Sequence, residues 1–127
     1  MGRKKILIID DENLILMTTA LLLKHIDMDV VTANSGLEGI ALAGREKPDI
    51  ILLDIMMPQM DGWGVLSRLR ADNGLSGTPV ILFSGDDAAN SREKALEMGV
   101  SAVFEKPFDS IELINTINGL IEKGTQK

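Results

Sequence analysis

The stretch that decides how this chain folds is Ile50–Gly62, IILLDIMMPQMDG. Ile50 to Asp54 form an apolar run whose last member alone is polar, and Pro58, Asp61 and Gly62 then turn the chain away. A strand that is apolar along its whole length is covered on both faces, as in the middle of a parallel sheet. A carboxylate ending such a strand sits at the rim of that sheet. There it either caps a turn or takes part in chemistry, depending on what other strands bring to the same rim.

Bulk properties narrow the field. The chain has 127 residues, which suits one domain (1–127, with a core of about 4–121 and a short frayed tail at 124–127). Hydrophobic residues make up 45% and charged residues 25%, ordinary for a soluble globular protein. No apolar run approaches the roughly 18 residues of a membrane span, and no signal peptide is visible. Cysteine is absent, which excludes disulfides and thiolate metal sites and fits a reducing cytoplasm. The net charge of −6 argues against direct nucleic-acid binding, which needs a positive footprint. The one basic run, Arg3, Lys4 and Lys5, reads as a solvated strand entry. Aromatics are few (Trp63, Phe83, Phe104, Phe108), too few for a base- or flavin-stacking surface.

Lys5–Ile9 is a first strand closed by Asp10 and Asp11. From Asn13, Leu14, Met17 and Leu21 recur at helical spacing, with Leu16, Ala20 and Leu23 alongside, and predict a helix to about His25. The histidine suits a helix C-terminus. Asp29–Ala33 is a second strand, and Ser35 with Glu38 forms a capping box for a helix to about Arg45. After Ile50–Asp54, Trp63, Leu66 and Leu69 mark a third helix, with Arg68 and Arg70 facing water and Trp63 in packing or partner contact. Pro79 opens a fourth strand ending at Ser84, and Gly85, Asp86 and Asp87 lead, as loop charges, into a helix over about Asn90–Met98, capped by Gly99. Ala102–Glu105 is a fifth strand. Asp109 and Glu112 box the start of a fifth helix with the stripe Ile111, Ile114, Ile117 and Ile121. Five β-α repeats of this kind give an α/β fold: a flavodoxin-like, doubly wound, five-stranded parallel sheet of order 2-1-3-4-5 flanked by five helices.

Ligands bind such sheets outside the carboxyl ends of the strands. Those ends carry Asp10, Asp11, Asp54, Ser84 and Lys106. Three carboxylates at one rim repel each other unless a cation or a proton intervenes. An all-oxygen set suits Mg²⁺, which keeps several waters. Lys106 can hold a phosphoryl group as a point charge, Ser84 can hydrogen-bond a second oxygen, and a carboxylate beside a metal is a feasible nucleophile. Met56, Met57 and Met60 read as packing and shielding near that site.

Four motifs carry a resemblance: ILIIDDE (Ile6–Glu12), LLDIMMPQMDG (Leu52–Gly62), ILFSG (Ile81–Gly85) and FEKPF (Phe104–Phe108). Over about Lys4 to Ile121 the sequence resembles the receiver domain of two-component response regulators. The resemblance implies that Asp54 accepts a phosphoryl group from a histidine kinase or histidine phosphotransfer protein and that Mg²⁺ is the cofactor. Asp11 and Asp54 would ligate it directly, Asp10 through water and Met56 through its backbone carbonyl. Ser84 and Lys106 would bind phosphoryl oxygens, Gly85 would leave room for access, and the Lys106–Pro107 peptide would be cis. It further implies self-catalysed phosphorylation and dephosphorylation rather than metabolic chemistry. The surface of the fourth helix, fifth strand and fifth helix would change shape, signal to a downstream protein and offer a face for a homodimer. Where many members carry Tyr or Phe three residues before the lysine, this chain has Val103, with Phe104 on the other strand face.

Three rivals remain. An aspartate-nucleophile phosphohydrolase resembles a DxD pattern after its first strand, whereas Asp10 is followed by Asp11 and Glu12. An FMN carrier wants a hydroxyl-rich phosphate loop there, and DDENLI supplies none. A degenerate, phosphorylation-independent adaptor sits poorly with the intact set Asp10, Asp11, Asp54, Ser84 and Lys106.

Overall fold

The computed structural model describes residues 3–85 and 88–125, with the side chains of 88–90 and 123–125 outside that description. Asp86 and Asp87, and the tail residues Gln126 and Lys127, lie outside the described residues. In chain order the elements are β1 (Lys5–Ile9), α1 (Asn13–Lys24), β2 (Asp29–Ala33), α2 (Gly36–Glu46), β3 (Ile50–Asp54), α3 (Gly62–Ala71), β4 (Val80–Ser84), α4 (Ala88–Glu97), β5 (Ala102–Glu105) and α5 (Ser110–Thr125). The strands form one sheet in the order β2-β1-β3-β4-β5, with every neighbouring pair parallel. Gly124 and Thr125, expected in a frayed tail, still belong to α5.

Alternation along the strands builds two cores. Leu7, Ile9, Ile51, Leu53, Val80, Leu82 and Val103 pack with Val65, Leu66 and Leu69 of α3 and Ala95 of α4. Ile6, Ile8, Ile50, Leu52, Ile81 and Phe83 pack with Leu16 and Leu23 of α1 and Leu113 and Ile117 of α5. Both faces of β3 and β4 are therefore dry, and each such side chain contributes roughly 1.5–3 kcal/mol by leaving water. Close approach of the helices needs small residues. A Cβ on Gly39 of α2 would lie 2.5 Å from Ile9 Cδ1.

Two helices turn differently from their predicted stripes. In α1 the residues Leu14, Met17 and Leu21 are 73%, 64% and 60% exposed, while Leu16, Thr19 and Leu23 face the sheet. The helix has apolar residues on more than one face, so spacing alone does not say which stripe meets Ile6 and Ile8. In α5, Ile111 is 71% exposed and the buried positions are Leu113 and Ile117, because Leu113, four residues before Ile117, takes the sheet-facing side of the first turn. Arg70 does not face water as expected. Its half-buried guanidinium donates to the carbonyls of Ser76, Thr78, Met98 and Gly99, tying α3 to the turn after α4. That turn ends at Gly99, whose φ of 79° gives the left-handed cap expected of it. The Ser35–Glu38 box forms with one shift: Ser35 Oγ accepts from Glu38 N, but Glu38 Oε1 accepts from Asn34 N. Asp109 Oδ1 accepts from the amides of Ile111 and Glu112 at the start of α5. Among the described residues, no helix is long and apolar enough to cross a membrane.

Candidate functional site

The sheet order reverses between β1 and β3, so their carboxyl ends open a crevice. Register brings the functional groups level with one another. Ile9 pairs with Leu53, which sets Asp10 beside Asp54, and Ser84 pairs with Glu105, which sets Lys106 one residue further. The turn after β3 folds back on the strand. Gly62 N donates to Ile55 O at 2.8 Å, and a Cβ on Gly62 would lie 2.6 Å from Asp54 O. Only glycine fits there. Asp61 then caps α3 by accepting from Gly64 N at 3.0 Å.

Lys106 is the hub of the crevice. Its Nζ donates to Asp10 Oδ2 at 2.9 Å and Glu12 Oε1 at 3.2 Å, and lies 3.3 Å from Asp54 Oδ1. Asp10 is 0% exposed and Asp54 2% exposed, so two of these carboxylates are dry. The Lys106–Pro107 peptide that aims this side chain is cis, as the resemblance implied. Asp10 Oδ1 accepts from Glu12 N at 2.9 Å, so Asp10 also shapes the entry to α1, whose N-cap Glu12 makes no side-chain cap bond. Asp54 Oδ1 accepts from Met56 N at 3.3 Å, while the Met56 side chain is 71% exposed. Met57 is buried and Met60 packs against the core, the packing expected of them, whereas the exposed Met56 side chain departs from it.

Asp54 Oδ2 is buried and has no hydrogen-bond partner among the described residues. An unpaired carboxylate oxygen in a dry site costs free energy, and natural folds retain such groups mainly where they work. Burial, then the charge of Asp10, push the Asp54 pKa up from 3.8 to about 7, against the pull of Lys106 and the Met56 amide. For Lys106, burial alone would lower the pKa. Hydrogen bonding and charge from Asp10, then Asp54 and Glu12, outweigh it and hold the ammonium above its usual value.

Carboxylate oxygens of Asp10, Asp11 and Asp54 all lie within 4.8 Å of one another. This hard, all-oxygen donor set, with one oxygen unpaired, fits a small divalent cation such as Mg²⁺. Ser84 is at the same rim and 3% exposed, but its hydroxyl donates to Ser91 Oγ of α4 at 3.4 Å. Sequence reasoning missed Glu12 as a Lys106 partner and Ser91 as a Ser84 partner. Glu12 sits inside a quoted motif yet carries no role there, and a serine seven residues beyond a strand end has no periodic signal. Trp63 packs against the core, as expected, and also receives Lys94 Nζ of α4 at 4.4 Å from its ring centroid.

Known proteins resemble this chain in sequence and fold. The chain is 33% identical over 121 residues to Protein PilG of Pseudomonas aeruginosa, covering 95% of this chain and 90% of PilG. It is 33% identical to the probable transcriptional regulatory protein TcrX of Mycobacterium tuberculosis over 93% of this chain, but spans only 50% of TcrX. The solved Francisella response regulator 1452 receiver domain superposes with a TM-score of 0.90 at 31% identity, covering 97% of this chain and 100% of that one. Residues 6–118 match the response regulator receiver domain as a family, and the chain belongs to it.

Proposed function

We propose that this chain is a single receiver domain that accepts one phosphoryl group on Asp54 from a phosphohistidine of a kinase or phosphotransfer protein. The observation that carries the reading is the Asp54 carboxylate: one oxygen paired to Lys106 and the Met56 amide, the other buried and unpaired. The unpaired oxygen attacks phosphorus, the new O–P bond forms as the donor's N–P bond breaks, and the imidazole leaves with its electron pair. Mg²⁺, held by Asp11, Asp54, the Met56 carbonyl and, through water, Asp10, would offset charge on the phosphoryl oxygens. Lys106 turns from Asp54 Oδ1 to a phosphoryl oxygen, Ser84 takes a second, and Gly85 leaves space beside them. Water later attacks the acyl phosphate and resets the site, so the chemistry is self-directed rather than metabolic. The α4–β5–α5 surface then shifts between populations and is read by a downstream protein in the cytoplasm, with homodimerisation through that face as one outlet.

Incubation with a small acyl phosphate and Mg²⁺ should add one phosphoryl group by intact mass, and Asp54→Asn should add none. A wild-type chain left unmodified by that donor and by candidate kinases would make the adaptor reading the better one. The exposed stripe Leu14, Met17 and Leu21 begins directly after the carboxylates and is placed to meet a donor protein. Leu14→Glu with Met17→Glu is therefore expected to slow transfer from a phosphoprotein about tenfold or more, while the small donor reacts within about twofold of wild type. Equal slowing with both donors would place the damage in the site instead.

A further inference from the structure

Ser84 ends β4 almost wholly buried, and its hydroxyl donates to Ser91 of α4 at 3.4 Å. The helix that Ser91 belongs to is unevenly held. Of its residues 91–97 only Ala95 is buried, so little apolar contact fixes it. Its C-terminal end is clamped: the Arg70 guanidinium donates to Met98 O at 3.3 Å and Gly99 O at 2.9 Å, from a half-buried position anchored also on Thr78 O. Among its described residues the other side contacts are Arg92 Nη2 donating to Val103 O at 3.4 Å and Lys94 resting on Trp63. A short helix pinned at one end and lightly held elsewhere has one easy motion, a tilt about the pinned end. Val103 cannot gate that motion by its own side chain. It is 6% exposed, has no hydroxyl, and is locked in the core beside Ala95 and Val100.

We infer that Ser91 is a positioning residue for Ser84: its hydroxyl holds the Ser84 hydroxyl on α4 while Asp54 is unmodified, and the exchange of Ser91 for a phosphoryl oxygen releases α4 to tilt about the Arg70 clamp. The inference rests on the phosphoacceptor reading of Asp54 and assigns its relay to one hydroxyl pair. Ser84 has a single O–H to give, so it cannot donate to Ser91 and to a phosphoryl oxygen at once. Ser91 and the phosphoryl group therefore compete, and removing Ser91 should favour the phosphoryl-bound arrangement.

Beryllofluoride with Mg²⁺, a noncovalent mimic of an aspartyl phosphate, tests this by calorimetric titration of the full chain. Ser91→Ala should bind the mimic about three- to tenfold more tightly than wild type, the range set by one neutral hydrogen bond. Ser91→Thr should restore wild-type affinity. In a Ser84→Ala background, Ser91→Ala should change the Kd by less than about twofold, since a residue acting through Ser84 has nothing left to act on. Unchanged or weaker binding in Ser91→Ala, or an equal gain in both backgrounds, would overturn the role given to Ser91 while leaving Asp54 as acceptor. A wild-type chain that does not bind the mimic would remove both readings.

Discussion

Lys106→Met is expected to destabilise the fold by about 3 kcal/mol near neutral pH in the presence of a chelator, and at the same time to bind Mg²⁺ roughly tenfold more tightly. Both effects follow from the same three contacts. The Lys106 ammonium is the counter-charge for Asp10 and Asp54, which are 0% and 2% exposed, and without it two carboxylates face each other in a dry crevice beside Asp11. Breaking a buried pair from one side costs more than the pair is worth, because the remaining charge keeps its desolvation penalty. Glu12 adds little, being 59% exposed and screened by water. The ammonium also occupies Asp10 Oδ2 and Asp54 Oδ1, oxygens that a cation would otherwise use, so its removal frees the donor set. The loss of stability should shrink on acidification, as the carboxylates take up protons, and on addition of Mg²⁺, which binds the folded state. Chemical denaturation in chelator and in Mg²⁺, with a parallel Mg²⁺ titration, separates these terms. A variant as stable as wild type in chelator would mean that Lys106 is not what holds the rim together.

The sheet was readable because its evidence is redundant. Ile50–Leu53 and Val80–Phe83 are apolar on both faces, each strand ends in a polar residue, and the intervening helices leave one common strand order. The convergence of Asp10, Asp54 and Lys106 follows from that order alone, since strand ends in a parallel sheet lie on one rim. Parity along β5 likewise separated Val103 from Phe104, which packs edge-on against Phe83 on the opposite face. The same reasoning falls short where one residue type has two uses. Leu14, Met17 and Leu21 keep helical spacing whether they face the sheet or the solvent. Arg70, between Leu69 and Ala71, has the pattern of a surface cation, but its long stem carries the guanidinium to carbonyls as far away in sequence as Gly99. Hydrogen bonds between irregular segments leave no period in the sequence. Ser84–Ser91 is of that kind, and its direction depends on where α4 settles on the sheet.

Asp54→Asn is expected to raise stability, and to raise it more in mildly alkaline than in acidic solution. The folded-state pKa of Asp54 stands at about 7 against 3.8 for the free side chain, so between these values the folded chain holds a proton that the unfolded chain has lost. Folded protein binds the extra proton, so stability falls as pH rises through this window. The contribution of this group is complete below the unfolded value, declines from there, and is gone above the folded value. Asparagine has the same shape and no such titration. The variant should therefore match wild type to within about 1 kcal/mol near pH 4 and exceed it by about 2 kcal/mol near pH 8, less than the full shift implies because asparagine keeps only a weaker, uncharged contact with Lys106. Mg²⁺ should narrow the gap at the higher pH, since it favours ionised Asp54 in wild type and loses an anionic ligand in the variant. Urea unfolding at both pH values, with and without Mg²⁺, gives the four stabilities required. A gap that stays constant from acid to alkali would show that Asp54 titrates as it does in the unfolded chain. Its burial beside Asp10 would then be offset by Lys106, and the site would hold an ionised nucleophile at neutral pH.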